Sequence, residues 1–478
     1  MSEGRAALVA GLNRIEEEFP VEEIVLDDAH VWPVLRVFGG TFHLQRMETV
    51  ASVVRPRRPV LARLWDRLRP GHGPIAPRTG TSSGPLVFIS QHTHRVVHQG
   101  ATVDKFAHPM MEAAARAGLA SVLVLLGGVA GPPIKPVAGA RMLHLDRTRT
   151  AVGGRAWRRA RVRTGEVPGM ADVLALMGRA GIVVEARRME GVLRAFLSEL
   201  AFHRLVLAGL RPGHVFMPCW YGPDHMAAVQ VCRELGIVAV DIQHGVQGPA
   251  HLAYGRWATV PAAGWSTMPH RFWCWDRYSV DNIARWAPPG MHRPFLGGWP
   301  WLEQRHAGPV TGTAPGVKRV LFSLQPMAHP LPPGFGAVVR ALGTGYHWVF
   351  RTHPRTGADI AAHPELHGLE GRFSMEDTRE VPLAASLGHT DVHLTQYSSV
   401  TIEAALCGVP SVALHPHATE LFPEHVRDGW LRVTGIDALS EALATARAPE
   451  VAPTRSAPLE ERLVHLLHDR NEPLPGGN

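Results

Sequence analysis

Two adjacent serines, Ser398 and Ser399, lie between a strand-like apolar run and a helix-like run in TQYSSVTIEAALCGVPSV, residues 395–412. The first turn of a helix has unpaired backbone N–H groups and a partial positive charge, so hydroxyls and amides there can hold a phosphate. The alternative is that Ser399 only caps the helix. A capping box would need Glu or Gln at Ile402. Glu403 comes one residue later and is free to accept hydrogen bonds from ribose hydroxyls.

Polar side chains also follow two other apolar runs of the same half. Pro354 cannot donate to a sheet ladder, so it ends a strand and turns His353 toward the carboxyl edge. Arg351 and Arg355 can neutralise phosphate by bidentate contact, while a strand-end turn with surface arginines is the alternative. The candidate nucleotide contacts are Ser323, Gln325, Arg351, His353, Pro354, Arg355, Gln396, Ser398, Ser399 and Glu403.

In the first half, DIQHG (241–245) follows an apolar run and places Asp241 and His244 near its end. Either side chain can serve as a general base that takes a proton from a hydroxyl, a task that suits imidazole near neutral pH. His92 in SQHTH is a further candidate base. Other candidate contacts on this side, to the molecule that supplies the hydroxyl, are Gln243, Asp224 and His225.

Metal binding and resident cofactors are not predicted. His92 and His94, like His415 and His417, are only pairs, and no DxD triplet is present. Charge on a departing phosphate would then be stabilised by arginine, hydroxyls and a helix N-terminus. The chain has no GxxxxGK[ST] loop, no GxGxxG after a strand and no GxSxG elbow, which argues against P-loop NTPases, dinucleotide oxidoreductases and α/β-hydrolases.

Length and composition favour a protein of two domains that is located inside the cell. The chain has 478 residues with 45% hydrophobic content, more than one core usually serves. Glu16, Glu17 and Glu18 lie where a secretory signal needs an apolar segment, and the longest apolar run, around 120–130, is much shorter than the ~20 residues of a membrane span. Its 4 separated cysteines indicate buried thiols in a reducing compartment. We expect a cytoplasmic protein, soluble or peripheral at the inner membrane.

The formal charge of +7 is almost wholly due to arginine, which is concentrated at residues 55–69 and 155–163. Arginine forks suit phosphate and carboxylate. They predict an anionic partner such as a lipid diphosphate, an acidic polysaccharide or an anionic membrane surface, and a solvated charged face is the alternative. Nucleic acid is not an expected partner, because no recognisable reader motif accompanies the charge.

Apolar runs alternate with helical runs of about a dozen residues in both halves, which predicts an α/β fold with parallel sheets. A helical appendage over about 1–80 precedes them. A stretch rich in Gly, Pro and Thr at 306–317 is predicted to link a first domain at 1–305 to a second at 318–478, which ends in helices. Such sheets bind ligands beyond the carboxyl ends of their strands, so a central cleft facing both domains is expected.

Over most of its length the sequence resembles the GT-B glycosyltransferase superfamily. Within it, the likeness is to bacterial capsule and surface polysaccharide enzymes: β-Kdo transferases, sialyl- and polysialyltransferases, and CDP-glycerol glycerophosphotransferases. The motifs that carry it are HVWPVLR (30–36), ELGIVAVDIQHG (234–245), HLAY (251–254), FRTHPR (350–355) and TQYSSVTIEAALCGVPSV. The resemblance implies two Rossmann-like domains and donor binding without a metal.

In the sialyltransferase-like members, an HP pair and an SS pair contact CMP. The resemblance therefore implies this role for His353, Pro354, Ser398 and Ser399, with the serines at the phosphate. The acidic motif that carries the base in those enzymes has no counterpart here, so the base remains among the candidates above.

We therefore predict a glycosyltransferase that moves a sugar from a CMP- or CDP-activated donor onto a bacterial surface or capsular polysaccharide, or onto its lipid-linked acceptor. A non-hydrolysing UDP-sugar 2-epimerase is one alternative, although the SGG and paired-Glu signature of that class is replaced by SSVTIEAA. A nucleotide-sugar binding or scaffold protein without catalysis is the other.

Overall fold

The structure is a computed structural model that describes residues 3–47, 84–128, 132–304, 316–325, 327, 329–353, 360–378, 380–448 and 457–469. Contacts divide the chain into two compact units. The first contains the described residues of 3–298 together with those after 456, and the second contains those of 299–455. Most of the predicted linker, 306–317, lies outside the described residues.

The first unit is built around a parallel sheet of seven strands. Its strands, including two short antiparallel pairs, are β1 (Val25–Leu26), β2 (Ala29–His30), β3 (Leu86–Gln91), β4 (Arg95–His98), β5 (Ala101–Asp104), β6 (Ser121–Leu126), β7 (Ala140–His144), β8 (His214–Pro218), β9 (Val238–Ile242), β10 (Arg271–Cys274) and β11 (Arg293–Leu296). The order in the large sheet is β11-β10-β9-β8-β3-β6-β7. The chain thus runs outward from β3 to β7 and returns to β8 on the other side of β3. The switch point of the strand order lies between β3 and β8.

Helices pack around this sheet and are drawn from both ends of the chain. They are Glu3–Glu18, Trp32–Met47, Ala107–Arg116, Asp146–Arg159, Met170–Arg179, Ala186–Leu210, Pro223–Glu234, Arg277–Ala284 and Leu459–His468. Leu12 and Trp32 of the first two helices are fully buried in the same apolar core as the sheet. Over its described part, the expected N-terminal appendage is therefore an integral layer of the first unit.

The last described helix, Leu459–His468, also belongs to the first unit, although the sequence placed it in the second domain. It packs against Ala107–Arg116. Arg116 and Glu460 form an ion pair of 3.1 Å, and Arg462 donates to the carbonyl oxygen of Gly297.

The second unit contains a parallel sheet of six strands. They are β12 (Lys318–Ser323), β13 (Tyr346–Arg351), β14 (Phe373–Glu376), β15 (Val392–Thr395), β16 (Ser411–Ala413) and β17 (Leu431–Val433). Short helices connect them: Pro300–Glu303, Phe335–Ala341, Leu383–Gly388, Val400–Leu406, His417–Leu421, Pro423–Arg427 and Leu439–Thr445. The strand order is β14-β13-β12-β15-β16-β17, so the switch point lies between β12 and β15.

Both large sheets follow the Rossmann order, in which the first three strands run to one side and the fourth returns beside the first. The predicted fold class of two Rossmann-like parallel-sheet domains is confirmed. No helix among the described residues is long and apolar enough to cross a membrane.

Candidate functional sites at the two switch points

A glutamine joins the two strand ends that flank the switch point of the first sheet. Gln91 ends β3, and its amide nitrogen donates to Asp224 Oδ2 and lies 3.3 Å from His225 Nε2. Asp224 and His225 lie in the first turn of the helix Pro223–Glu234, which follows β8. Nδ1 of His225 lies 3.0 Å from the carbonyl oxygen of Cys219. The ring nitrogen Nδ1 therefore donates to this carbonyl.

Arg149 connects Asp224 to a second carboxylate. Its Nε lies 2.9 Å from Glu199 Oε2, and its Nη2 lies 3.5 Å from Asp224 Oδ2. Burial alone would raise the pKa of Asp224, but nearby His225 and Arg149 outweigh it and hold this pKa below its usual value. Asp224 is therefore an ionised carboxylate at neutral pH.

Three imidazoles near these residues are neutral at physiological pH. Burial lowers the pKa of His94, His203 and His244 to about 3, and the neighbouring His225 contributes to each of these shifts. His244 Nε2 lies 3.1 Å from the hydroxyl of Tyr221. Nδ1 of His94 and Nδ1 of His244 are buried and have no hydrogen-bond partner among the described residues.

His92 lies at the exposed rim of this region, next to the end of β6. A Cβ at Gly127 would lie 2.6 Å from His92 Nδ1, and Gly127 has a φ of +85°, so both the contact and the backbone favour glycine. Asp146 accepts hydrogen bonds of 2.6 and 2.7 Å from the backbone N–H groups of Gly127 and Gly128. The predicted residues that share the carboxyl edge of this sheet are His92, Asp224, His225 and His244.

Asp241, the first candidate base, lies inside the first unit and is 0% exposed. Its carboxylate accepts hydrogen bonds from the Tyr254 hydroxyl at 2.8 Å, the Trp220 backbone N–H at 3.0 Å and Gln247 Nε2 at 3.4 Å. Burial raises the pKa of Asp241 to about 7. These contacts tie β9 to the preceding strand end and to the following loop, and they leave the carboxylate no contact with solvent.

Gln243 is likewise occupied within the protein. Its Oε1 accepts from the Trp275 backbone N–H at 2.6 Å, and its Nε2 donates to the Gly245 carbonyl at 2.9 Å and to Ser279 Oγ at 3.0 Å. The expected contact of Gln243 with a substrate is therefore replaced by a structural role, in which it joins the loop after β9 to the end of β10.

The HVWPVLR segment anchors the same loop from the N-terminal helices. Glu16 Oε1 accepts a hydrogen bond of 2.8 Å from Trp32 Nε1 and also pairs with Arg36, and both side chains of this ion pair are 0% exposed. Arg36 donates to the carbonyl oxygens of Leu252 at 3.3 Å and Arg256 at 2.7 Å. This motif positions the chain that follows the candidate site, without contributing a side chain to it.

In the second unit, a glutamine again bridges the switch point. Gln325, just after β12, accepts a hydrogen bond of 2.7 Å from the Tyr397 backbone N–H, just after β15. Ser398 Oγ accepts from the Val400 backbone N–H at 3.3 Å. Ser399 occupies the N-cap position but makes no side-chain capping bond. Capping thus falls to Ser398, and the Ser399 hydroxyl is not used by the helix.

Ser323 and Arg351 face the interior of the second unit. Ser323 Oγ lies 2.7 Å from Nε2 of the fully buried His393. One guanidinium nitrogen of Arg351 lies 3.4 Å from Glu376 Oε2 and 3.0 Å from Ser386 Oγ. Both side chains are committed to contacts within the unit, which removes the physical basis for assigning them to a phosphate.

The remaining residues of the predicted nucleotide site are positioned differently from one another. Gln396 is 5% exposed. Glu403 Oε1 accepts a hydrogen bond of 3.2 Å from Trp299 Nε1, so this carboxylate is less free to reach a ribose than the sequence suggested. His353 is partly buried just beyond β13. Pro354 and Arg355 lie outside the described residues.

An aromatic cluster that the sequence analysis did not assign to ligand binding adjoins Ser398. The Tyr397 ring makes edge contacts with His415 and His417, at centroid distances of 5.1 and 5.3 Å. These residues follow β15 and β16, so they lie at the same carboxyl edge as the serines. Within the described part of the chain, no group of three or more His, Cys, Asp or Glu residues could hold a metal.

These observations define an architecture of two Rossmann-type α/β units. Each unit has polar side chains gathered at the switch point of its sheet. No family model matches the chain, and no curated protein matches it. Similar solved structures include the glycotransferase of kitacinnamycin, with 16% sequence identity and a TM-score of 0.47. They also include the calicheamicin glycosyltransferase CalG4, with 16% identity and a TM-score of 0.45. Each match covers 81% of this chain and 94% of the other chain. Another is UDP-GlcNAc 2-epimerase from Neisseria meningitidis bound to UDP-GlcNAc. Its sequence identity is 12%, its TM-score is 0.46, and the match covers 80% of this chain and 98% of that chain. Similarity at this level assigns no activity to this chain.

Proposed function

We propose that the protein is a glycosyltransferase that takes a sugar from a nucleotide-activated donor, CMP- or CDP-linked, and adds it to a bacterial surface or capsular polysaccharide or its lipid-linked acceptor. The second unit holds the nucleotide, and the first unit holds the acceptor. Donor binding needs no metal ion, since hydroxyls, amides and backbone N–H groups supply the hydrogen bonds to the phosphate.

The juxtaposition of Gln325, Ser398 and Ser399 at the switch point of the second sheet is the observation on which this function rests. Ligands of doubly wound sheets bind at such a point, beyond the carboxyl ends of the strands. Ser399 has a hydroxyl that the helix does not use. The Tyr397, His415 and His417 rings beside it offer apolar and polar edges to a nucleobase.

Selective binding of CMP or CDP, rather than UDP or GDP, is the expected result of a thermal-shift panel, since a ligand that binds the folded state raises the apparent stability. Ser398→Ala combined with Ser399→Ala should remove most of the shift. The matched control is Thr390→Ala, which deletes a hydroxyl bonded at 2.7 Å to the Ser386 carbonyl just before β15, at the opposite edge of the sheet. If the serine double variant shifts as much as the parent, the nucleotide site is wrong.

The alternative functions differ in what they require from an acceptor. A UDP-sugar 2-epimerase converts its sugar nucleotide alone, a transferase releases nucleotide only when it has an acceptor or water to glycosylate, and a scaffold does neither. Product analysis with and without a glycan acceptor therefore separates the three.

A basic surface on the first unit is the proposed contact with an anionic membrane. Arg155, Arg158, Arg159 and Arg161 are exposed and form no ion pair with any described residue. Trp157 among them is 38% exposed and stacks with Arg194, whose Cζ lies 4.5 Å from the ring centroid. Unpaired cations around an exposed tryptophan suit the headgroup region of a bilayer.

Replacement of these four arginines by Ala should weaken binding to vesicles containing phosphatidylglycerol by at least about tenfold, because each basic residue near an anionic surface contributes about 1 kcal/mol. Co-sedimentation measures the effect, with phosphatidylcholine vesicles as the neutral comparison. Arg256, Arg277, Arg427 and Arg432 are the matched control, since each is exposed but already paired with an acidic residue. Equal binding by both sets of variants would exclude this surface.

A further inference from the structure

Asp224 has the properties that Asp241 lacks for a reaction with an external molecule. Its side chain is 14% exposed and lies at the switch point of the first sheet. The Asp241 carboxylate is 0% exposed and is surrounded by three donors of its own unit. A base must come within hydrogen-bond distance of the proton that it takes.

We propose that the carboxyl edge of the first sheet is a saccharide-binding site, in which the Asp224 carboxylate receives the hydrogen bond, and then the proton, of the hydroxyl that becomes glycosylated. The inference rests on the proposed function and assigns the acceptor class and the base within it. Asp241 is then a structural residue.

The charges at this edge favour a neutral hydroxyl over an anion. Arg149 is shared between the Glu199 and Asp224 carboxylates, so its positive charge is divided between two negative groups. A phosphate placed beside Asp224 would face this carboxylate, whose partner Arg149 is already shared with Glu199. Coulomb repulsion between two such groups is strong when both are partly removed from water.

The partners of Asp224 hold it in place and still leave it able to accept. Oδ1 accepts from the His225 backbone N–H at 3.0 Å, and Oδ2 accepts from Gln91 and lies 3.5 Å from Arg149. A carboxylate has about four lone-pair positions. Three donors therefore fix its orientation and leave capacity for one more hydrogen bond, which is the requirement for a base that binds a hydroxyl.

The surrounding imidazoles match the same ligand chemistry. His94 and His244 have buried Nδ1 atoms without a hydrogen-bond partner in the described residues. A neutral imidazole offers one donor and one acceptor, as a sugar hydroxyl does. Neutral rings of this kind bind polyols through paired hydrogen bonds and add no charge that would draw a phosphate.

The transfer step balances with Asp224 as the proton acceptor. The acceptor oxygen forms a bond to the anomeric carbon of the donor sugar, and its proton passes to the carboxylate. The bond between that carbon and the phosphate oxygen breaks, and its electron pair leaves with the nucleotide. The protonated Asp224 then returns its proton to solvent.

Asp224→Asn is the diagnostic variant, because it keeps the size of the side chain and removes the charge and the basicity. Asp172→Asn is the control for an exposed carboxylate on the helix Met170–Arg179, and Asp241→Asn tests the rival base. Saturation-transfer NMR of the full chain without nucleotide measures contact with neutral mono- and disaccharides. Broadening of the 31P resonance of inorganic phosphate, which has no carbon-bound protons to observe, is a separate arm. We expect saccharide contact in the wild type and in Asp172→Asn, and about tenfold weaker contact in Asp224→Asn.

Nucleotide release in the presence of the saccharides that bind should fall by at least about 100-fold in Asp224→Asn, the usual loss when a general base is removed, while Asp241→Asn stays within about threefold of the wild type. Donor KM and the nucleotide thermal shift should be equal in all variants.

The inference is overturned if the wild type contacts no saccharide, if phosphate binds at Asp224 instead, or if Asp224→Asn binds or transfers as the wild type does. If saccharides bind at Asp224 but no nucleotide binds anywhere, the proposed function fails while the saccharide site stands, so the two failures are distinguishable.

Discussion

Substitution of Glu16 by Gln is expected to lower the free energy of unfolding of the first unit by about 3–5 kcal/mol, the usual cost of breaking a buried ion pair from one side. Glu16 and Arg36 are both 0% exposed, so the variant leaves the guanidinium charge buried without its counter-ion. The Ala258 backbone N–H, which donates to Glu16 Oε2 at 2.6 Å, loses a charged acceptor as well. Urea denaturation followed by tryptophan fluorescence measures the change.

The neighbouring Glu17 provides a matched control. It pairs with Arg256 at 3.7 Å, and these side chains are 53% and 69% exposed. An exposed ion pair contributes about 0–1 kcal/mol, so Glu17→Gln should leave the denaturation midpoint almost unchanged. A similar small change in both variants would show that the Glu16–Arg36 pair does not hold the N-terminal helices to the loop after β9.

Replacement of Asp241 by Asn should stabilise the protein relative to the wild type by an amount that grows with pH. Burial raises the pKa of Asp241 to about 7 from a model-compound value of 3.8. Between these values the folded state keeps a proton that the unfolded state has released, so the stability of the wild type falls as pH rises toward 7 and is fully retained only below about 4. An amide cannot ionise, so the stability of the variant does not fall in this way as pH rises.

The stability difference between the Asp241→Asn variant and the wild type should therefore change by about 2.5 kcal/mol between about pH 5 and pH 7, at about 1.4 kcal/mol per pH unit. Buried histidines with lowered pKa values also titrate in acid, but they are common to both proteins and cancel in the difference. Parallel stability curves for the two proteins would mean that Asp241 is ionised throughout and that its three hydrogen bonds compensate for burial.

The central strands of both sheets were predictable because a parallel strand covered on both faces is a continuous apolar run. PLVFIS at 85–90 became β3 (Leu86–Gln91), and RVLFSL at 319–324 became β12 (Lys318–Ser323). The strands at the edges of the two large sheets have no such continuous apolar run: β7, β11, β14 and β17. In β11 and β14 no residue is fully buried. An edge strand needs only one paired side, so charged and half-exposed residues are accepted there and the apolar signal is lost.

The sequence predicts which polar residues lie at strand ends, but it does not predict which of them contact one another. Each polar residue could be placed at a strand end, yet Gln91 meets Asp224 across 133 residues, and Gln325 meets Tyr397 across 72. Asp241 shows the converse. Its place at the end of β9 favoured an accessible base, but Tyr254 in the following loop donates to it from 13 residues away and helps to bury it. Only tertiary packing decides which strand-end carboxylate reaches solvent.

The return of the helix Leu459–His468 to the first unit also constrains how this protein can be dissected. A fragment that stops near Gln304 would lack this helix, whose buried Leu459, Leu463 and Leu466 pack into the first unit. Ala107–Arg116 would then expose the surface that the helix covers. Separation of the two units therefore needs a circular permutation that joins the last helix to the N-terminus, or the addition of this helix as a third fragment.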